Sequence, residues 1–120
     1  MPKLPPAERF EDLLMWQKSH QLVLHVYRVT RTFPREEVYG LTSQMRRAAV
    51  SVPANIAEGF KRRGRSDKAR IMNIAQASLE ELRYYFLLAK DLEYLKPGKE
   101  RETAEEIARM LDSYTRTLQS

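Results

Sequence analysis

The residues with the most distinct chemistry are basic, and they lie between positions 46 and 70. This stretch, called here the basic segment, holds eight Lys and Arg residues and two acids, a difference of +6, while the 120-residue chain carries +5. Clustered positive charge attracts phosphate backbones because binding releases condensed counterions. Six of the eight are arginines, which favours bidentate phosphate contacts. The pattern predicts binding to RNA or structured nucleic acid through Arg46, Arg47, Lys61, Arg62, Arg63, Arg65, Lys68 and Arg70.

Other interpretations of the basic segment stay open. The same charge pattern is typical of a solvated helix end kept basic for solubility. It also suits a protein-interaction module that docks an acidic partner. Phe60 is the one aromatic residue in the segment, so base stacking is weakly supported and little sequence specificity is expected. Eight phosphate contacts to one single strand would give a salt slope of about −6.

Patterns for catalysis and metal binding are absent from the sequence. There is no cysteine, which removes thiolate catalysis, disulfides and cysteine–zinc sites. His20 and His25 are five positions apart and do not share a helical face, and no HExxH, Glu-x-x-His, P-loop or GxGxxG pattern occurs. Glu58 is better explained by an ion pair with Arg62 at i+4 than by a general base. We predict a protein that is not an enzyme and needs no cofactor or metal.

The basic segment overlaps a helical pattern of small and apolar residues. They recur every three or four positions and so share one helical face: Met45, Ala48, Ala49, Val52, Ile56 and Phe60. Pro53 removes one backbone hydrogen bond, which predicts a kinked helix or two short helices meeting near Ser51. Hydroxyl side chains are expected to cap these helices, and Gly59 or Gly64 to end them. The expected caps are Thr42, Ser43 and Ser51, with Ser66 for the next helix.

Three further stretches carry helical apolar patterns, over residues 10–33, 66–92 and 99–118. No stretch alternates with the period of a strand. We therefore predict an all-α fold, an antiparallel up-down-up-down four-helix bundle with a proline-kinked second helix. The bundle is expected to form one domain over residues 10–120, after a flexible tail at 1–9. The apolar arc of the first helix suits core packing or a subunit interface, with Trp16 as an interface anchor.

Apolar runs are short throughout the chain. None approaches the roughly 20 residues of a membrane span, and the N-terminus lacks the apolar core of an export signal. The sequence therefore predicts a soluble, cytoplasmic protein that does not enter a membrane.

Several strings in the chain resemble those of one bacterial family. They are Phe10-Glu11-Asp12-Leu13 with Trp16-Gln17-Lys18, Tyr39-Gly40-Leu41-Thr42-Ser43-Gln44, Arg46-Arg47-Ala48-Ala49, Pro53-Ala54-Asn55-Ile56-Ala57-Glu58-Gly59 and Ser78-Leu79-Glu80-Glu81-Leu82. Together they are similar to the four-helix-bundle proteins encoded in intervening sequences of 23S ribosomal RNA genes. The strings cover residues 10–95, and the fourth helix matches by pattern only.

The resemblance implies an antiparallel bundle that assembles as a ring, a homopentamer, and a purely structural ring with no ligand is then a further alternative to nucleic-acid binding. Trp16, Ser51, Pro53, Asn55 and Glu58 are then candidates for assembly or for the structural motif. The resemblance also implies kinship with the accessory variability determinant of diversity-generating retroelements. That relative works with a reverse transcriptase and its RNA template and binds nucleic acid through a basic surface.

Overall fold

Four helices make up the fold in the computed structural model, which describes residues 6–119. They are α1 (Leu14–Thr30), α2 (Leu41–Lys61), α3 (Arg65–Asp91) and α4 (Glu100–Gln119). Single 3₁₀ turns at Phe10–Asp12 and Arg35–Glu37 precede α1 and α2. Helix α2 packs on α3, α3 on α4, and α1 on both α2 and α4. The predicted all-α four-helix bundle is therefore confirmed.

The predicted helix over residues 10–33 is wrong at both ends. Leu13 has extended backbone angles and separates the first 3₁₀ turn from α1. The Asp12 carboxylate accepts the backbone N–H groups of Glu8 (3.1 Å) and Arg9 (3.2 Å), which fixes this turn and lowers the Asp12 pKa. At the other end α1 stops at Thr30, because Pro34 disfavours the helical conformation in the residue before it.

The N-terminal tail predicted at residues 1–9 falls partly outside the described chain. Residues 1–5 are not described, and Glu8 and Arg9 take part in the Asp12 turn. The extent of the tail therefore stays a prediction.

The core follows the apolar stripe that the sequence predicts along α2. Met45, Ala49, Val52 and Ile56 are at most 1% exposed. They face buried side chains from the other three helices: Val26 of α1, Met72, Ala75, Leu79, Leu82 and Ala89 of α3, and Ala104, Ile107 and Leu111 of α4. Burial of apolar area on this scale is the main stabilising term of such a domain.

Pro53 lies inside one continuous helix rather than between two helices. Helix α2 runs unbroken from Leu41 to Lys61, and the proline side chain is buried. Ser51 is therefore not an N-cap, and its predicted capping role is wrong. The hydroxyl of Ser51 instead contacts the hydroxyl of Ser78 on α3 at 2.8 Å, and Asn55 Nδ2 donates to both Oγ (2.9 Å) and the carbonyl (2.7 Å) of Ser51.

Glycines take the capping positions that the sequence assigns to hydroxyl residues. Gly40 and Gly64 are the N-caps of α2 and α3, and neither helix has a side-chain cap from Thr42, Ser43 or Ser66. The first amide of α2, that of Leu41, donates to Glu37 Oε1 at 3.2 Å. An acid from the preceding turn thus replaces the predicted hydroxyl, as the positive end of the helix dipole favours.

Candidate nucleic-acid interface

The turn that joins α2 to α3 is the most exposed part of the basic segment. It consists of Lys61 to Arg65, called here the basic turn, and all five residues are exposed. Gly59, predicted as a possible helix end, lies buried inside α2. A Cβ at Gly59 would lie 3.0 Å from Met72 Cε and 3.2 Å from Ile71 Cγ2. The missing side chain therefore lets α3 pack closely beside the end of α2 and sets the position of the turn.

Both acids of the basic segment form ion pairs at this turn. Arg62 lies 2.6 Å from Glu58 and 3.5 Å from Asp67, so the predicted Glu58–Arg62 pair is confirmed. Its hydrogen bond to Glu58 raises the pKa of Arg62. Asp67 also pairs with Arg70 at 2.8 Å. Arg62 and Arg70 therefore hold fixed orientations, although exposed pairs of this kind add little stability.

Lys68 is directed at α2 rather than at solvent. Its ammonium donates to the carbonyl oxygens of Phe60 and Gly59 and lies 5.3 Å from the Phe60 ring centroid. Burial lowers the pKa of Lys68. Because the last carbonyls of a helix lack partners within it, this lysine stabilises the end of α2. It is the least available of the predicted phosphate contacts.

Arg46 and Arg47 lie far from the basic turn. Arg46 and Lys61 lie fifteen positions apart on one helix, which corresponds to about 22 Å along the helix axis. Arg46 Nε donates to Thr30 Oγ1 at 2.9 Å, and its guanidinium lies 4.6 Å from the centroid of the Tyr27 ring. Arg47 is exposed, and no ion pair joins either arginine to Glu81 in the described chain. The basic segment therefore forms two separate surfaces in the folded chain, one at the basic turn and one at Arg46 and Arg47.

The second site is an open cleft between the end of α1 and the start of α2, with a volume of about 850 Å³. Arg46 and Arg47 line it together with Arg31 and Arg35. Sequence reasoning missed these last two because they lie outside the basic segment. The available signal was the position of Arg31 and Arg35 on either side of Pro34. A chain reversal at this proline places both arginines near the start of α2. We call this site the arginine cleft.

The predicted assembly and motif residues all make contacts within the chain. Trp16 is half-buried and lies between Phe10 (centroids 4.9 Å apart) and His20 (5.1 Å, stacked). Ser51 and Asn55 belong to the hydrogen bonds around Ser78 described above, Pro53 is buried inside α2, and Glu58 pairs with Arg62. The structure thus gives each a folding role, and an additional role of Trp16 in assembly stays a prediction.

Neither a cluster of metal-ligand side chains nor a membrane-spanning helix is present among the described residues 6–119. Within that range no three His, Cys, Asp or Glu residues come together as metal ligands. The nearest approach to such chemistry is the pair of His25 and Glu100, with Nε2 and Oε1 2.9 Å apart. No helix in the same range is long and apolar enough to cross a membrane.

These features define a class, a small four-helix bundle with a basic turn at one end. The family described as 23S rRNA-intervening sequence protein matches residues 11–116, and the chain belongs to this family. A solved structure similar to it is that of a protein with unknown function from the S23 ribosomal protein family of Bacteroides thetaiotaomicron VPI-5482. The two share 21% sequence identity with a TM-score of 0.77, over 86% of this chain and 96% of the other. A search of curated proteins finds no match.

Proposed function

We propose that this chain is a cytoplasmic, oligomeric, non-enzymatic protein that binds RNA or structured nucleic acid through the basic turn. The observation that carries the proposal is the exposure of Lys61, Arg62, Arg63 and Arg65 on consecutive positions around Gly64. Lys61 and Arg63 have no hydrogen-bond or ion-pair partner among the described residues. Exposed, unpaired cations at a protruding turn can approach a phosphate backbone without first breaking an internal contact.

The contacts within the chain reduce the number of cations available to one nucleic acid strand. Lys68 is directed at α2, Arg70 pairs with Asp67, and the two arginines at positions 46 and 47 lie at the other site. Lys61 and Arg63 remain unpaired at the turn, while Arg62 pairs with Glu58 and Asp67 and Arg65 also makes a contact within the chain. The salt slope on a single strand therefore lies between about −1.4 for the two unpaired cations and about −3 for all four, rather than about −6. With no aromatic side chain at the turn, recognition is directed at phosphates and has weak sequence preference.

Exposed apolar side chains support the oligomeric part of the proposal. Leu14, Tyr84 and Leu87 are each more than half exposed, at 54%, 56% and 53%. Tyr84 and Leu87 are three positions apart on α3 and line the same cleft, and adjoining exposed apolar groups favour contact with another surface. A ring of five copies, which the family resemblance suggests, would repeat the basic turn around its axis and raise the affinity for RNA through avidity.

The test is RNA binding across a salt series by the wild type and two variants with matched loss of charge. The first replaces Lys61, Arg62, Arg63 and Arg65 by Ser. The control replaces Lys90, Lys96, Lys99 and Arg101 by Ser at the opposite end of α3, where all four are exposed. Both variants lower the net charge of +5 by four. Light scattering on each sample checks that the assembly keeps its size.

We expect the control to bind RNA with a modest loss of affinity, and the turn variant to lose binding. Equal losses in the two variants would contradict a site at the turn, since only net charge would then matter. Absence of wild-type binding at low salt would refute nucleic-acid binding and leave docking of an acidic protein as the function to pursue. Competition by heparin distinguishes nucleic-acid binding from docking of an acidic protein. Any polyanion displaces the ligand of a nucleic-acid site, whereas a protein-docking site requires a partner of complementary shape.

A further inference from the structure

We infer that the arginine cleft is a separate binding site for the phosphate group of a nucleotide. This inference goes beyond the basic turn and does not depend on it, because about 22 Å of α2 separates the two sites. The cleft lies between α1 and α2, where the chain reverses at Pro34.

The lining of the cleft is strongly positive, with four arginines. The side chains of Arg31, Arg35 and Arg47 are exposed and have no hydrogen-bond or ion-pair partner among the described residues. No acidic residue belongs to the lining within that part of the chain. Four guanidinium groups around one concave surface repel one another, and an anion in the cleft relieves that repulsion. Phosphate is the anion whose geometry matches the guanidinium fork.

One of the arginines of the cleft is already oriented by contacts within the chain. Arg46 is held by Thr30 Oγ1 at 2.9 Å and by the Tyr27 ring at 4.6 Å. Neither contact neutralises its charge, because a hydroxyl and an aromatic face are not anions. A positively charged group fixed in place without a counterion loses little conformational freedom when a ligand arrives. Arg46 therefore acts as the preorganised member of the site.

The surrounding acids do not cancel this charge. Glu37 follows Arg35 by two positions, but its carboxylate accepts the Leu41 N–H at 3.2 Å and the Tyr94 hydroxyl at 2.9 Å. Those partners lie at the start of α2 and beyond the end of α3, outside the lining of the cleft. Glu36 is exposed and is not part of the lining either.

The size and the apolar part of the lining suit a ligand larger than an inorganic anion. A volume of about 850 Å³ lies within the range of small-molecule sites. Apolar side chains of Phe33, Val38 and Val50 share the lining with the arginines and with the hydroxyl residues Ser43 and Ser51. An inorganic anion alone would leave the apolar wall unused. A nucleotide contacts both parts of the lining, because its phosphate meets the arginines and its aromatic base packs on the apolar side chains. The proposed ligand class is therefore a nucleotide.

A nucleotide reaches the cleft either as a free molecule or as one unit of a strand. The test therefore measures calorimetric binding of ADP, pyrophosphate and adenosine to the full chain at low salt. A competition arm adds an RNA hexamer with a 5′-phosphate. If the RNA hexamer displaces ADP, the site takes a nucleotide that is part of a strand. If the hexamer does not displace ADP, the site takes the free nucleotide.

The variants are Arg35→Gln and Arg47→Gln, both exposed and without internal partners, and the matched control is Arg63→Gln at the basic turn.

We expect wild type to bind ADP most tightly, pyrophosphate more weakly and adenosine least. Each cleft variant should lose about tenfold in ADP affinity, the size expected for one charged hydrogen-bonding partner, while Arg63→Gln keeps wild-type affinity. The site would be refuted by absent ADP binding, or by equal ADP affinity of Arg47→Gln and Arg63→Gln. A change of oligomer size in the cleft variants would also overturn it, since the cleft would then be a contact between copies.

The two proposals fail separately. Loss of RNA binding in the turn variant with unchanged ADP binding supports two sites. ADP binding that disappears with the turn variant, while the cleft variants retain it, would assign the nucleotide to the basic turn and overturn this inference.

Discussion

The hydroxyl pair that links α2 to α3 gives the sharpest prediction about the fold. Ser51 Oγ lies 2.8 Å from Ser78 Oγ, and Asn55 Nδ2 donates to Ser51 Oγ at 2.9 Å. Both serines are half-buried, so water replaces a lost partner only in part. Ser51→Ala removes both hydroxyl contacts, whereas Ser78→Ala removes one and leaves Ser51 bonded to Asn55. The first substitution should therefore cost more.

The magnitudes follow from the number of lost partners. A net hydrogen bond contributes about 1 kcal/mol, and a buried group left without a partner costs about 1–3 kcal/mol. Alanine returns roughly 0.5 kcal/mol through its better helix propensity. Ser51→Ala should thus lower the free energy of unfolding by about 1–2 kcal/mol, a fall in Tm of roughly 4–8 °C for a chain of this length. Ser78→Ala should cost under about 1 kcal/mol.

The assay is urea unfolding followed by helical circular dichroism for wild type, both single variants and the double variant. All four are measured at one protein concentration, because assembly would make stability depend on concentration. In the Ser51→Ala background the second substitution should be neutral or stabilising, since it removes a hydroxyl that has already lost its partner. The predicted coupling is about 1 kcal/mol. Additive effects of the two substitutions, within about 0.4 kcal/mol, would refute the link.

Two further predictions concern packing and pH. Gly59→Val should lower the free energy of unfolding by about 1–3 kcal/mol, because the added methyl groups meet Met72 and Ile71 at a position where a Cβ alone lies 3.0 and 3.2 Å away; urea unfolding measures it, and wild-type stability would contradict the close contact. Burial raises the pKa of Tyr114, so the unfolded phenol ionises first, near about pH 10, and stability falls as the pH rises through the folded pKa. Tyr114→Phe should reduce that fall between about pH 9 and pH 11, and an unchanged pH profile would refute the role of Tyr114.

Helix positions were predictable where the signal is local. The stripe from Met45 to Ile56 fixed the buried face of α2, because residues three and four apart share one face of a helix. The Glu58–Arg62 ion pair was predictable for the same reason. The residues at which the helices begin and end were less predictable. The caps assigned to Thr42, Ser51 and Ser66 are wrong, because Gly40 and Gly64 take the capping positions and Ser51 bonds across to α3.

The candidate site could be predicted only in part. The sequence locates the excess positive charge but treats residues 46 to 70 as one surface. The structure separates Arg46 and Arg47 from the turn, because a continuous α2 places them at its other end. It also brings Arg31 and Arg35 beside them, a contact that no spacing within the basic segment encodes.

By itself the sequence determined the helical periods, the family and the location of the positive charge along the chain. Only the tertiary structure decided which cations are available. Lys68 donates to the end of α2, and Arg46 lies over Tyr27, through contacts between residues 8 and 19 positions apart. Periodicity fixes neighbours within a few residues, because it follows from the geometry of one helix. The availability of a cation to a ligand depends on how one helix packs against another. The neighbours of a residue in the sequence do not specify that packing.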